Sequence, residues 1–396
     1  MKITKVDVLM EGSDIDQGRS GWSPILCRVY TDEGIYGDGE AALAYGNAQN
    51  AAFGIVRDFA QLIIGMDPLD NEVIWEKLYK TTFWGMGGGP VINAGISALD
   101  IALWDIKGKY FNVPVYKLLG GKRRDDLRCY ASQLQFGWSD HGEVIATTQQ
   151  YVDVCKKAVA EGYDAVKLDF FTYDRDGRFF DKMEETSRLL KPYYINLIEE
   201  RVAACREAVG PNVDIIMENH SRTDTQAAIQ IARACQKHNI FYFEEPNIPT
   251  PKMNKFISDK LDMPIAHGER IYTRWQYAPY FENNSVQVIQ PDMGNTGGIT
   301  ETKKICDMAY VYDVNVQIHV CAGPISTAAA LQLECVIPNF LIHEHHRNCL
   351  YEVNRRLALY DYQPVNGKYK VPDLPGIGNE HSEYALTHYI AKVTVD

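Results

Sequence analysis

From about residue 213 onward the chain repeats one pattern, an apolar run that ends in an acidic or imidazole side chain and is followed by a helical stretch. VDIIMENHSRTD ends its apolar part at Glu218, FYFEEPNIP at Glu244 and Glu245, and MPIAHGERIYTRW at Glu269. VQVIQPD then carries Asp292, VNVQIHV carries His319 and NFLIHEHH carries Glu344. Taking Glu244 for the second, successive members stand 26, 25, 23, 27 and 25 residues apart. A strand, a turn, a helix and a turn need about 25–30 residues, roughly one eighth of a (β/α)8 barrel. That beat leaves little choice of fold. In such a barrel the C-terminal tips of all the parallel strands open into one mouth, so these polar residues are expected to converge there.

Upstream the pattern is different. KITKVDVLM, PILCRVYTD and IYGDGEA read as a strand meander with a turn at Glu33-Gly34, and AQNAAFGIVRDFAQLIIG, NEVIWEKLYKTTF and NAGISALDIALWDIKGKYF read as helices. Strands and helices segregated in this way suggest a separate α+β domain. At 396 residues the chain is also too long for one core. We therefore expect an α+β capping domain over 1–126 and a barrel over 127–355, with a segment over 356–396 that packs back on the cap and ends in a strand. LRCYASQLQF starts the barrel, and EGYDAVKLDFF supplies its second strand, with Lys167 and Asp169 on one face. Lys167 and Glu218 are 51 residues apart, twice the usual beat, which predicts an insertion after strand two that leans over the mouth. Residues 12–24 are expected to form a flexible loop. The glycine-rich WGMGGGP (84–90) has no following Gly-Lys-Ser/Thr, so it is no P-loop; it either closes over something or simply begins a helix.

A net charge of −12 argues against nucleic acid or an anionic membrane as a partner. Nine scattered cysteines without a CxxC fit reduced thiols in a cytoplasmic protein. MKITKVDVLM is a strand pattern rather than a signal peptide, and no run is long enough to span a membrane. A small-molecule substrate and a homo-oligomer are the expected partners.

Three carboxylates on adjacent strand tips, Glu218, Glu244 and Glu269, would make an oxygen-only site for a hard divalent cation. Side-chain alternation favours Glu244 over Glu245. Mg2+ is preferred to zinc because no thiolate or histidine cluster of zinc spacing accompanies them. Asp292 and His319, on consecutive tips, would form a dyad in which the carboxylate fixes the imidazole tautomer and raises its basicity. Lys167 could hold a substrate carboxylate or act as a base, and Asp169 could serve the substrate or merely form with Lys167 a pair that braces the barrel. His220, two residues after Glu218, could protonate a leaving group; Arg222 could touch substrate or lie on the surface. His343, His345 and His346 straddle both faces of a strand, so only Glu344 is assigned to the site.

With these residues in place the chain resembles the enolase superfamily, in its mandelate racemase-like branch. The resemblance runs through SALDIALWDIKGKYFNVPVYKLLGG, the FEEP strand, GERIYTRW, the PD…GGITE segment and the tail PDLPGIG. It implies a (β/α)7β barrel under an α+β cap, one Mg2+, and abstraction of a proton α to a carboxylate. ENHSR, GERIYTRW and IHVCAGPIS are similar to the galactonate dehydratase group, which implies His220 as acid and His319 as base. Two positions depart from the pattern. Glu218 stands where that group has Asp, and Lys167-x-Asp169 stands where relatives have Lys-x-Lys or Lys-x-Asn. The expected activity is dehydration of an aldonate or aldarate to a 2-keto-3-deoxy acid, with Lys167 and Mg2+ neutralising the substrate carboxylate and Glu344 hydrogen-bonded to it. The alternatives are an epimerase or cycloisomerase using Asp169 and His319 on opposite faces, or a non-catalytic sugar-acid binding protein.

Overall fold

The computed structural model describes residues 1–12, 22–180 and 183–396. At the N-terminus β1 (Ile3–Glu11), β2 (Ile25–Thr31) and β3 (Tyr36–Ala41) form an antiparallel meander. Val6, Val8, Cys27 and Val29 on these strands are buried in one apolar core with residues of α1 (Gln49–Ile63), α2 (Asn71–Glu76) and α3 (Pro90–Phe111). α3 is buried on nearly every side because it touches both this sheet and helices of the barrel. β3 lies so close to it that a Cβ on Gly37 or Gly39 would fall 2.0 or 1.9 Å from a carbonyl oxygen of α3. α4 (Val115–Leu118) then leads into the barrel.

The barrel strands are β4 (Asp126–Ser132), β5 (Ala165–Asp169), β6 (Asp214–Glu218), β7 (Ile240–Glu244), β8 (Ile265–His267), β9 (Val288–Ile289), β10 (Asn315–Val316) and β11 (His343–His346). They run parallel in chain order, and β11 returns to pair with β4. The ring closes through Val316 N donating to Asn339 O and Leu341 N donating to Val316 O, both 2.8 Å. Seven helices fill the crossovers: α5 (Thr148–Ala160), α7 (Pro192–Val209) after the short α6 (Met183–Thr186), α8 (Thr225–Cys235), α9 (Pro251–Ser258), α10 (Thr273–Glu282), α12 (Gly298–Val311) after the short α11 (Met293–Thr296), and α13 (Pro324–Glu334). Local chemistry marks their starts. Thr147 and Gln150 form a capping box on α5, and Asp224 caps α8.

Beyond β11 come α14 (Glu352–Arg355), β12 (Lys368–Lys370), α15 (Glu383–Thr387) and β13 (Tyr389–Val395). β13 adds antiparallel to β1, pairing Val395 with Val6, and so completes the cap sheet. The tail does more than pack on the cap, since β12 pairs antiparallel with β4 of the barrel. The insertion after β5 folds on Phe171, Phe180 and Tyr194, and Thr186 Oγ1 donates to Arg222 O at 2.8 Å. In the expected loop 12–24, residues 13–21 lie outside the described residues. Residues 84–88 make turns that leave Trp84 and Met86 exposed, and Gly89-Pro90 begins α3. Among the described residues no helix is long and apolar enough to cross a membrane.

Candidate active site

Strand periodicity builds the site. Tyr130, Ala165, Ile216, Tyr242, Ala266, Val288 and Ile342 form one buried cluster, a layer contributed by seven of the strands or the residues just before them. Two residues further along, on the same face, come Ser132, Lys167, Glu218, Glu244, Gly268, Gln290 and Glu344. An apolar plug is thus topped by a polar layer at the mouth.

Oxygens of Glu218, Glu244 and Glu269 all lie within 4.8 Å of one another. Glu218 and Glu244 end adjacent strands in register, while Glu269 sits just beyond β8. Glu245 has φ 44 and turns away to Arg270, which also pairs with Glu269. Glu244 Oε2 is buried without a hydrogen-bond partner among the described residues. Burial and the charges of Glu218 and Glu344 push the Glu244 carboxyl up, with Lys167 pulling the other way. Converging, mutually repelling carboxylates with an unclaimed oxygen fit a hard divalent cation such as Mg2+.

Lys167 is wholly buried. Its Nζ lies 2.8 Å from Glu244 Oε1, 2.9 Å from Glu344 Oε1 and 3.7 Å from Glu218 Oε2. Glu344 also accepts from Ser132 Oγ at 2.6 Å and Val320 N at 3.0 Å. Burial opposes its ionisation, yet Lys167 and His319 hold it well below the usual carboxylate range. In this arrangement Glu344 accepts from Ser132, Val320 and Lys167.

Two imidazoles flank the trio. His319 Nδ1 lies 2.7 Å from Asp292 Oδ2, and its Nε2 lies 2.8 Å from Glu269 Oε2. His220 Nδ1 lies 2.7 Å from Asp169 Oδ2, and its Nε2 lies 3.0 Å from Glu218 Oε1. Burial pulls His220 down, but Glu218 and Asp169 raise it to about 10. The same balance, with Glu269, Glu344 and Asp292 outweighing burial, raises His319. Strand alternation does not explain where His220 stands. β6 ends at Glu218, and His220 and Ser221 adopt left-handed backbone (φ 45 and 56) that brings the ring back over Asp169.

Asp169 and Lys167 do not form the expected bracing pair, since Lys167 turns to Glu218, Glu244 and Glu344. Asp169 Oδ1 accepts from Phe171 N at 2.7 Å and its Oδ2 faces His220. Arg222 is not a free surface residue: its Nη1 is 3.7 Å from Asp169 Oδ2 and its guanidinium covers the Phe179 ring. His343 and His345 point away from the mouth, to Glu334 and Tyr163, whereas His346 Nε2 is 3.4 Å from Cys321 Sγ. Sequence reasoning passed over Gln133, which donates to Glu218 Oε2 at 2.7 Å and lies 3.4 Å from His220 Nε2. Its position directly after β4 was the available signal; its φ of 67 was not. Arg270 was missed as well, although it follows Glu269 directly.

Comparison with known proteins points the same way. Residues 18–120 match the mandelate racemase / muconate lactonizing enzyme N-terminal domain, and residues 150–385 match the enolase C-terminal domain-like family. The chain is 33% identical over 359 residues to a D-xylonate dehydratase of Haloferax volcanii, covering 89% of this chain and 82% of that one. It is 30% identical over 372 residues to a D-galactonate dehydratase of Variovorax paradoxus, covering 92% and 90%. A solved structure of an enolase superfamily member from Salmonella Typhimurium superposes with a TM-score of 0.96 at 50% identity, covering 100% of both chains.

Proposed function

Because this chain belongs to the mandelate racemase / muconate lactonizing enzyme branch of the enolase superfamily, we propose that it dehydrates a sugar acid to a 2-keto-3-deoxy acid. Glu218, Glu244 and Glu269 would hold Mg2+. When bound, that ion supplies Lewis-acid stabilisation of the charge that develops on the substrate carboxylate. The observation that carries the proposal is the pair of His–Asp dyads, each with a buried aspartate. Each presents Nε2 to a different member of the carboxylate trio.

In this reading His319 removes the α-proton at Nε2 while Asp292 accepts the Nδ1 hydrogen and keeps the tautomer fixed. His319 Nε2 lies against Glu269, one of the three residues that would hold the cation. Lys167, set between Glu244 and Glu344, adds positive charge beneath the substrate carboxylate. His220 delivers the Nε2 proton to the β-hydroxyl, which leaves as water, and Asp169 holds the Nδ1 hydrogen. The resulting enol becomes the 2-keto acid. The D-xylonate and D-galactonate dehydratases named above support the same reaction class. An epimerase using Asp169 as its second base loses support, because both oxygens of Asp169 are engaged behind His220.

The test is a screen of aldonates and aldarates with Mg2+ for 2-keto acid release and for solvent-deuterium uptake at the α-carbon. The proposal expects both from at least one compound, abolished by chelation and restored by Mg2+. Exchange or inversion at the α-carbon with no keto acid from any compound would favour the epimerase. Binding with neither reaction would favour the non-catalytic alternative.

A further inference from the structure

Arg347 directly follows β11 at the mouth of the barrel, with 4% of its surface exposed. A buried guanidinium normally directs its N–H groups at acceptors, because an uncompensated charge in the interior is costly. Arg28 does so: its Nε and Nη2 each donate to one oxygen of Asp38 at 2.7 Å. In Arg347 the same two nitrogens, Nε and Nη2, are buried with no protein acceptor among the described residues. Aromatic rings stand nearby instead, with the guanidinium 4.9 Å from the Tyr351 ring centre and 5.8 Å from that of Phe136. Glu143 acts on it only at longer range and forms no ion pair with it. Burial accordingly pulls Arg347 below the ordinary arginine range.

Its surroundings place it beside the catalytic mouth. Phe136 belongs to the turn that follows β4, and His346, its chain neighbour, feels the charges of Glu344, Lys167 and His319. The stretch 137–147, which passes within contact of Nη2 at Gly142, carries neither helix nor strand.

We infer that the buried, unpaired Nε–Nη2 edge of Arg347 is matched to a second carboxylate, at the end of the substrate remote from the reacting carbons. The substrate class is then a sugar diacid, an aldarate, rather than an aldonate. A guanidinium edge matches a carboxylate with two parallel hydrogen bonds to two oxygens, whereas a terminal hydroxyl offers one neutral oxygen and leaves the charge unpaired. The inference rests on the dehydratase proposal for its reaction but not for its binding geometry.

The experiment compares an aldonate, its 6-phosphate and the aldarate of the same configuration, with the Mg2+-loaded full chain. The expected kcat/KM favours the aldarate over the aldonate on the order of 10²-fold, mostly through KM. In Arg347→Ala that ratio falls towards one. In Arg347→Lys, which keeps the charge without the planar edge, only a minor part of it survives. Calorimetric Kd values in a His319→Asn background should follow the same ratios without turnover. An aldarate-to-aldonate ratio that Arg347→Ala leaves unchanged, or a preference for the 6-phosphate, overturns the inference while leaving the dehydratase proposal standing. If no compound yields a 2-keto acid, the dehydratase proposal fails, and the Kd ratio between wild type and variant still decides the role of Arg347. Should Arg347→Ala not fold, the Lys and Gln variants carry the comparison.

Discussion

Each of His220 and His319 is backed by a buried aspartate at Nδ1, and that pairing leaves Nε2 turned toward the carboxylate trio. For His220 the partner is Asp169, at 2.7 Å. Asp169→Asn should therefore slow 2-keto acid formation by roughly 10- to 10²-fold through a misoriented imidazole, while α-proton exchange stays within a few-fold. Parallel assays of keto acid and of deuterium uptake check this. The residue was legible from the sequence as a strand tip, but its partner was not. The partnership depends on left-handed backbone at His220 and Ser221, with no glycine to announce it. Arg347 was equally silent, since an arginine after a strand is ordinary until its burial is seen. A different histidine carries a pH effect. His345 is buried outside the barrel mouth, and burial with the nearby His343 lowers it from 6.5 to about 3, Gln363 opposing. The folded pKa is thus the depressed one, and the unfolded chain binds more protons between about pH 6.5 and 3. Stability from His345 is complete above that window and declines as pH falls through it. His345→Gln should flatten the fall of melting temperature with acid between those limits. A slope identical to wild type would show that other groups set it.

At the scale of elements, period-two alternation did most of the work. It selected Glu244 over Glu245, and β7 places Glu244 with Glu218 and Lys167 while Glu245 turns to Arg270. The strand tips were legible because each apolar run ends in a charge at a fixed beat. The strands themselves are shorter than their apolar runs, with β9 and β10 reduced to two residues each. Asp292 and His319 consequently lie beyond the regular ladder and meet through a single bridge. The insertion after β5 was legible only as excess length, since its fold depends on aromatic contacts with α7. Glu244→Gln tests the trio as a unit. It removes one of three anionic ligands while leaving shape almost unchanged, so Mg2+ affinity should fall by about 10²-fold or more. Titration of the metal into the chelated protein measures this. Affinity within a few-fold of wild type would remove Glu244 from the site.

The whole molecule holds the two dyads by different parts. On the His319 side the cap is the scaffold. Glu40 accepts from Gly323 N and Ser326 N, Ala42 N donates to Gly294 O, and Ser97 Oγ accepts from Gly297 and Gly298 N. On the His220 side the insertion is the scaffold, through Thr186 and Phe179 against Arg222. None of these contacts was legible in the sequence, because each joins segments far apart in the chain, as Glu40 and Gly323 are. Separate supports imply that one dyad can be disabled without disturbing the other. The claim that base and acid are divided in this way is tested most directly by His220→Asn. The α-proton is expected to keep exchanging with solvent deuterium at near the wild-type rate, while 2-keto acid formation falls by about 10²-fold or more. Keto acid formation at the wild-type rate in that variant, or loss of exchange together with elimination, would contradict it.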